Sequence, residues 1–208
     1  MSDDRVKNLT ERDRMTRLAD LVYEAGMLRR TPRTGYQFLG TGQENVAEHS
    51  FRTALIGYVL AGMAGADKGL TVSMCLFHDL HETRTGDFNY VNKMYNSCRA
   101  TEALSHALMG TGLEDEVLGL WRELERTETI EGKLAQDADQ LDFIANLREE
   151  QDLGNTYAGD WLEAAVQRLR TPEARELARA LMDTDHKDWW FLGPDRKWWA
   201  KKNGGHKS

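Results

Sequence analysis

Apolar residues recur along this chain at the spacing of helices. Leu18, Leu21, Val22, Ala25 and Leu28 stand at i, i+3, i+4, i+7 and i+10, the stripe of an amphipathic helix that must end before Pro32. Further helices are expected over 46–64, 70–83, 97–109, 113–126, 130–151, 158–170 and 172–186. The run ALIGYVLAGMAGA, 54–66, is apolar enough to read as a buried helix. Glycines interrupt it, and it falls short of the roughly 18 to 20 residues that cross a bilayer. No stretch alternates with the period of a strand, so the expected class is all-α. Between the first two helices lies a loop rich in Gly and Thr, TPRTGYQFLGTGQEN, and GADKG links the next pair. RTGDFNYVNKMYN reads as an ordered loop, with Gly86 placed for a left-handed helix cap.

A chain of 208 residues suits one core, expected over 1–186, with a C-terminal tail over 187–208. The tail carries Trp189, Trp190, Trp198 and Trp199 in two pairs, which suit packing on the domain surface or in a dimer contact. Its last residues are polar enough to be disordered. The formal net charge of -7 argues against general nucleic-acid binding, while the cluster RRTPR, 29–33, leaves room for a small anion. The N-terminus is charged and lacks the apolar segment of a leader, which points to the cytoplasm. There Cys75 reads as a buried thiol and Cys98 as an incidental one, without a bridge.

Chemistry gathers in LFHDLHETRTGD, 76–87, where a helix that buries Leu76 and Phe77 then presents His78, Asp79, His81, Glu82 and Asp87. Adjacent helical residues lie about 100° apart around the axis, so His78 and Asp79 can both reach one metal ion beside the helix. Glu82, one turn past His78, stands close behind. ENVAEHSFRTAL places His49 near the start of another helix. LAQDADQLDFIANL adds Asp137, Asp139 and Asp142 to a helix whose Leu134, Ala138, Leu141, Ile144 and Ala145 face the core. Charges in such places are usually paired or bind metal. Taken singly, each feature also has a plain structural reading: a surface ion pair, a satisfied helix histidine, a solvated acidic face. The residue pattern alone does not choose among the three aspartates.

The ordered combination narrows the reading: His49, then His78-Asp79 after 29 residues, then Ala138-Asp139-Gln140-Leu141 about 60 further on, each on an expected helix. Over roughly residues 15–150 this resembles the HD-domain superfamily of metal-dependent phosphohydrolases. The resemblance implies a helical HD-domain fold and one divalent ion, Mn, Fe, Co, Ni or Zn, held by His49, His78, Asp79 and Asp139. Asp139 is chosen because the family's last ligand sits in an Ala-Asp-x-Leu context, leaving Asp137 and Asp142 as supporting or surface groups.

PRTGYQFLGTGQENVAEHSFRTA and HDLHETRTGD are similar to the 5′-deoxynucleotidase branch. Tyr36 stands where that branch commonly has Trp, and FNYVNK replaces a proline-containing loop. By this resemblance a water attacks a phosphomonoester, with Glu82 orienting or deprotonating it and Asp87 serving as acid or positioning group. Arg33 holds the phosphate, Glu44 helps close the sugar or phosphate pocket, and Tyr36 faces the substrate. His81 and His106 read as packing or supporting groups, and Arg84 and Lys93 as surface charges. A homodimer acting on a small phosphorylated substrate, a nucleotide, is expected, with neither a nucleic-acid polymer nor a membrane as partner. Two alternatives stand beside it: an HD phosphodiesterase or pyrophosphohydrolase for an alarmone or cyclic nucleotide, and a sensor that binds metal and nucleotide without turnover.

Overall fold

The computed structural model describes residues 11–191, and among these the chain forms helices and turns with no strand beyond a single bridge between Pro32 and Asn45. In order they are α1 (Glu11–Ala25), a 3-10 turn (Gly26–Arg30), α2 (Tyr36–Leu39), α3 (Val46–Ala64), α4 (Lys68–Phe77) and α5 (Glu82–Thr85). Then follow α6 (Tyr90–Tyr95), α7 (Ala100–Leu108), α8 (Glu114–Arg126), α9 (Ile130–Asp152), α10 (Ala158–Val166), α11 (Pro172–Asp183) and α12 (Asp188–Phe191). The all-α expectation holds. None of the helices is long and apolar enough to cross a membrane.

The spine is α9, which packs against α3, α4, α8, α10 and α11. Leu134, Ala138, Leu141 and Ile144 are fully buried along it, and each large apolar side chain so placed contributes about 1.5–3 kcal/mol over exposure. One core cluster gathers Leu60, Met74, Cys75 and the α9 leucines. A second gathers Leu21, Leu28, Val46, Leu80, Leu104, Leu108 and Trp121. Thus α3 enters the second cluster at Val46 and the first at Leu60, with His49 between them. The α4–α5 segment joins the first at Cys75 and the second at Leu80, with His78 and Asp79 between. The seam between the two clusters is where the polar site lies.

Helix ends follow the local chemistry. Asn45 and Glu48 form a reciprocal capping box at the start of α3, worth about 1 kcal/mol, and Gly65 ends that helix in the left-handed region. Thr129 caps α9, and Thr171 with Pro172 starts α11. Gly57 sits inside α3 despite a cost near 1 kcal/mol, because a Cβ there would meet Cys75 Sγ at 2.7 Å. Its absence lets α3 and α4 approach closely.

Several expectations are corrected. The helix expected over 70–83 breaks at His78–His81, where bonds from Leu80 N–H to Phe77 O and from Glu82 N–H to Asp79 O tighten the chain into i to i−3 turns. The Cys75 carbonyl, which a continued helix would offer to the Asp79 amide, accepts the His78 ring Nδ1 at 2.7 Å. Leu76 is exposed and not buried. The α3 run is buried on one face only, with Phe51, Leu55, Tyr58, Val59 and Met63 exposed, and Val22 of α1 is exposed too. The segment read as a loop contains α6, capped by Asn89. Gly86 has φ 72° but ψ 162°, outside the left-handed helical region. Trp189 is largely exposed, which does not fit packing on the domain surface, whereas Trp198, Trp199 and the first ten residues lie outside the described residues. Cys75 is a buried free thiol and Cys98 an exposed one.

Candidate active site

Four side chains from three places in the chain converge on the seam. His49 Nε2 lies 3.0 Å from His78 Nε2, 3.4 Å from Asp79 Oδ2 and 3.1 Å from Asp139 Oδ1. His78 Nε2 is 3.1 Å from Asp79 Oδ2. The opposite ring atoms are engaged: His49 Nδ1 bonds Asp142 Oδ2 at 2.6 Å, and His78 Nδ1 bonds the Cys75 carbonyl. Those acceptors hold the hydrogens on Nδ1, so two Nε2 lone pairs face one another beside two carboxylate oxygens. This is unfavourable unless a cation lies between them. Donors bonded at about 2.0–2.2 Å around one tetrahedral ion stand roughly 3.3 Å apart, so the donor set fits a small divalent ion. Asp139, with 47% of its side chain exposed, lies on the open side.

Without an ion, protons take up part of this strain. Burial works against a charged His49, but hydrogen bonds to Asp139 and Asp142 overcome it and raise its pKa to about 10. His78 is likewise raised, burial opposing and Asp79 outweighing it. Burial pushes Asp139 up, but the His49 bond and charge bring it down to about 2; Asp79 falls well below the usual carboxylate range against the same burial, through His78.

Behind the donors runs a polar network that sequence reasoning did not assign. Asp142, fully buried, accepts from His49, from Arg52 Nε and, at 3.3 Å, from Asn146 Nδ2. Asn146 Nδ2 also donates to both Glu44 oxygens at 3.1 Å. Asp142 is therefore no surface group: it orients a candidate ligand. Its position three residues after Asp139 was the available signal, but only the fold shows that it meets His49. Asp137 turns the other way, accepting from Arg170 N–H, Thr171 N–H and Thr171 Oγ1 at 2.9, 2.7 and 2.7 Å. It takes no part among the donors.

The expected substrate groups surround a cavity of about 160 Å³ that includes Arg33, Tyr36, Glu44, Glu82, Asp87 and Asp139 in its lining. Arg33 sits 3.5 Å from Asp79, 3.8 Å from Glu44 and 4.0 Å from Asp87, oriented by all three yet saturated by none. Its loop is pinned by Arg33 N–H to Glu44 O and Val46 N–H to Thr31 O. Asp87 accepts the Thr34 N–H at 2.7 Å, tying that loop to the end of α5. Glu82 is buried and its Oε2 has no partner; burial first, then the charges of Asp79 and Asp87, raise its pKa to about 9. Burial and then Asp142 also raise Glu44, and burial followed by Glu44 raises the Tyr36 phenol. Phe143 and Trp161, ring centroids 6.1 Å apart, form an apolar wall.

His81 packs edge-on against Trp121 at 5.1 Å and bonds Thr85, as a packing group. Burial lowers its pKa, and the charges of His78 and Lys93 add to that against Asp79. His106, by contrast, is exposed on α7 and serves no packing role. Arg84 is paired with Glu24 at the surface. Lys93 is exposed but lines the cavity, which its reading as a plain surface charge did not foresee.

The family model described as "HD domain" matches residues 25–181. The 5′-deoxynucleotidase HDDC2 of Danio rerio is 31% identical over 147 residues, 68% of this chain and 72% of that protein. The 5′-deoxynucleotidase YfbR of Escherichia coli is 28% identical over 147 residues, 62% of this chain and 74% of the other. A conserved hypothetical protein of Pyrococcus furiosus has a similar solved structure, with a TM-score of 0.68 at 27% identity, covering 80% of this chain and 99% of that one.

Proposed function

This chain belongs to the HD-domain family, and from that membership we propose that it is a metal-dependent phosphohydrolase releasing phosphate from nucleoside 5′-monophosphates, deoxyribonucleotides above all. The observation that carries the reading is the set of facing donors, with His49 Nε2 within 3.0–3.4 Å of His78, Asp79 and Asp139, beside an unpartnered Glu82 and an unsaturated Arg33. The deoxyribonucleotide preference rests on the names of the relatives.

In this reading His49, His78, Asp79 and Asp139 hold the divalent ion. When bound, the ion supplies Lewis acidity, acidifying water and offsetting phosphoryl charge. Arg33 donates its planar fork to the phosphoryl oxygens, and the carboxylates around it keep it charged and aimed. Glu82, which burial and its carboxylate neighbours keep protonated in the metal-free chain, would be ionised by a divalent ion beside it, and would then take the proton of the attacking water at Oε2 and return it to the departing 5′-oxygen. Asp87, committed to the Thr34 amide, positions the Arg33 loop and does not act as the acid. Glu44, held by Asn146, and Tyr36 shape the sugar side, and Phe143 and Trp161 wall the base. Action in the cytoplasm as a homodimer belongs to the same reading.

The test is phosphate release from paired deoxyribo- and ribonucleoside 5′-monophosphates, with Mn, Fe, Co, Ni or Zn added to metal-stripped protein. Inorganic phosphate from the deoxy series, dependent on added metal, is the expected result. Release of diphosphate or a linear nucleotide from other phosphate compounds in its place would overturn it.

A further inference from the structure

Two cavities adjoin the candidate centre. Besides the nucleoside cavity, a wider cleft of about 670 Å³ also reaches Asp79, Glu82 and Asp139, and Phe88, Lys93 and Gln140 line both. The two cavities differ in how their cations are paired. On the first, Arg33 stands among Asp79, Asp87 and Glu44, so little of its positive charge is left uncountered. On the second, Lys93, Arg168 and Arg170 have no carboxylate within ion-pair distance among the described residues. Arg168 donates to the Tyr90 hydroxyl and Arg170 to Thr127 Oγ1, both neutral oxygens. Five carboxylates, Asp79, Glu82, Glu125, Asp137 and Asp139, line the same cleft, and none of them forms an ion pair with these three cations.

Next to candidate ligand Asp139, Gln140 Nε2 is a buried donor with no partner. Leaving such a donor unmatched costs about 1–3 kcal/mol, which an acceptor arriving with a ligand would recover. Lys93 is carried by α6, where Asn89 accepts the Asn92 N–H at 2.9 Å and the Lys93 N–H at 2.9 Å. The ammonium is thereby presented from a capped turn and not from a loose end.

We infer that Lys93 and the Gln140 amide form an oxyanion subsite where the two cavities meet, holding phosphoryl oxygens of bound substrate and the orthophosphate left after turnover. It rests on the phosphohydrolase reading above, and both residues are positioning groups that move no proton. An approaching phosphate dianion meets Glu44, Asp79, Asp87 and Asp139 together, so Arg33 and a divalent ion alone leave it in a carboxylate-rich field. A cation that lines both cavities offsets that field, and the unpartnered Gln140 amide supplies a neutral donor for a phosphate oxygen.

The test measures binding of inorganic phosphate to the manganese-loaded full chain by calorimetry, alongside turnover of a deoxyribonucleoside 5′-monophosphate. Lys93→Met should weaken phosphate binding about tenfold, equivalent to roughly 1.4 kcal/mol, and raise KM more than it lowers kcat. Lys93→Arg should restore affinity to within about threefold, and Gln140→Leu should weaken it several-fold. Arg122→Met, an equal change of net charge outside both cavities, should leave phosphate affinity unchanged. Binding of the phosphate-free deoxynucleoside should be unaffected by Lys93→Met. Phosphate affinity within twofold of the parent in Lys93→Met, or no phosphate binding by the parent at millimolar concentration, overturns the subsite even where turnover is intact. Lys93-dependent phosphate binding without any turnover sustains the subsite and removes the reaction assigned above.

Discussion

Two buried polar clusters are fed by one helix and have opposite character. At the α9–α11 junction, Asp137 accepts three hydrogen bonds from Arg170 and Thr171, and Thr171 Oγ1 in turn accepts the Ala174 N–H. Two residues along α9, Asp139 joins His49, His78 and Asp79, where lone pairs face one another and Glu82 Oε2 and Gln140 Nε2 have no partner. The first cluster is complete within the chain and builds structure. The second leaves polar atoms without a partner among the described residues, as a site built to receive a ligand does. Asp137 is buried and Asp139 half-exposed, but what separates the clusters chemically is whether the partners are all protein.

The sharpest break between the clusters comes from Asp139→Ala. Bound metal should be lost by elemental analysis, and phosphate release should fall on the order of 10³-fold or more, about 4 kcal/mol of transition-state stabilisation. The metal-free fold should keep its denaturation midpoint to within a small margin. Undiminished activity in this variant would remove Asp139 from the ligand set.

Asp137→Ala should do the reverse. It leaves two backbone amides and a hydroxyl without their buried acceptor, a loss of about 2–4 kcal/mol in unfolding free energy measured with urea. Turnover per folded molecule should be near that of the parent. A stable but inactive Asp137→Ala protein would mean that the closed cluster also does chemistry.

Much of the helical order was legible because its signals are local. The Asn45–Glu48 box and Gly65 bound α3 at the expected residues, and Thr129 starts α9 where periodicity placed it. The gathering of His49, His78, Asp79 and Asp139 was legible through their order along the chain. The break at His78–His81 was not, because it accompanies a bond from the His78 ring to the Cys75 carbonyl that is a product of folding. Nor was α6, whose polar residues show no helical stripe and whose main local mark is the Asn89 cap. Asp142 read as one acid among three, since its partner His49 lies 93 residues away.

Removing the metal should turn the open cluster into a proton store and give the pH dependence a definite sign. His49 at about 10 and Glu82 at about 9 in the folded chain both lie above ordinary values of 6.5 and 4.5. Between each ordinary value and the folded one, the folded state holds more protons than the unfolded. Their stabilisation is therefore fully present below the ordinary value and is lost as pH rises through the folded one. Metal-stripped protein should lose Tm progressively from about pH 6 to pH 10, by several degrees. The metal-loaded protein should be insensitive over that range and release metal instead as acid protonates the histidines. A metal-stripped Tm that climbs with pH would show that the histidines and Glu82 carry no such protons.

The smallest effect probes the border between the two kinds of cluster. Asp142 belongs to the open centre by position but to the closed type by satisfaction, since its oxygens accept from His49, Arg52 and Asn146. Asp142→Asn keeps an acceptor for His49 Nδ1 and hence the tautomer, but withdraws the charge that strengthens the imidazole as a donor. Metal affinity should fall about 10-fold, the lower end of the 10–100-fold typical for such outer partners, with turnover restored at saturating metal. Asp142→Ala removes the acceptor as well and should reach the upper end. If Asp142→Asn lost metal as completely as Asp139→Ala, Asp142 would itself be a donor to the ion, and the division of α9 into closed and open clusters would have to be redrawn one turn further along the helix.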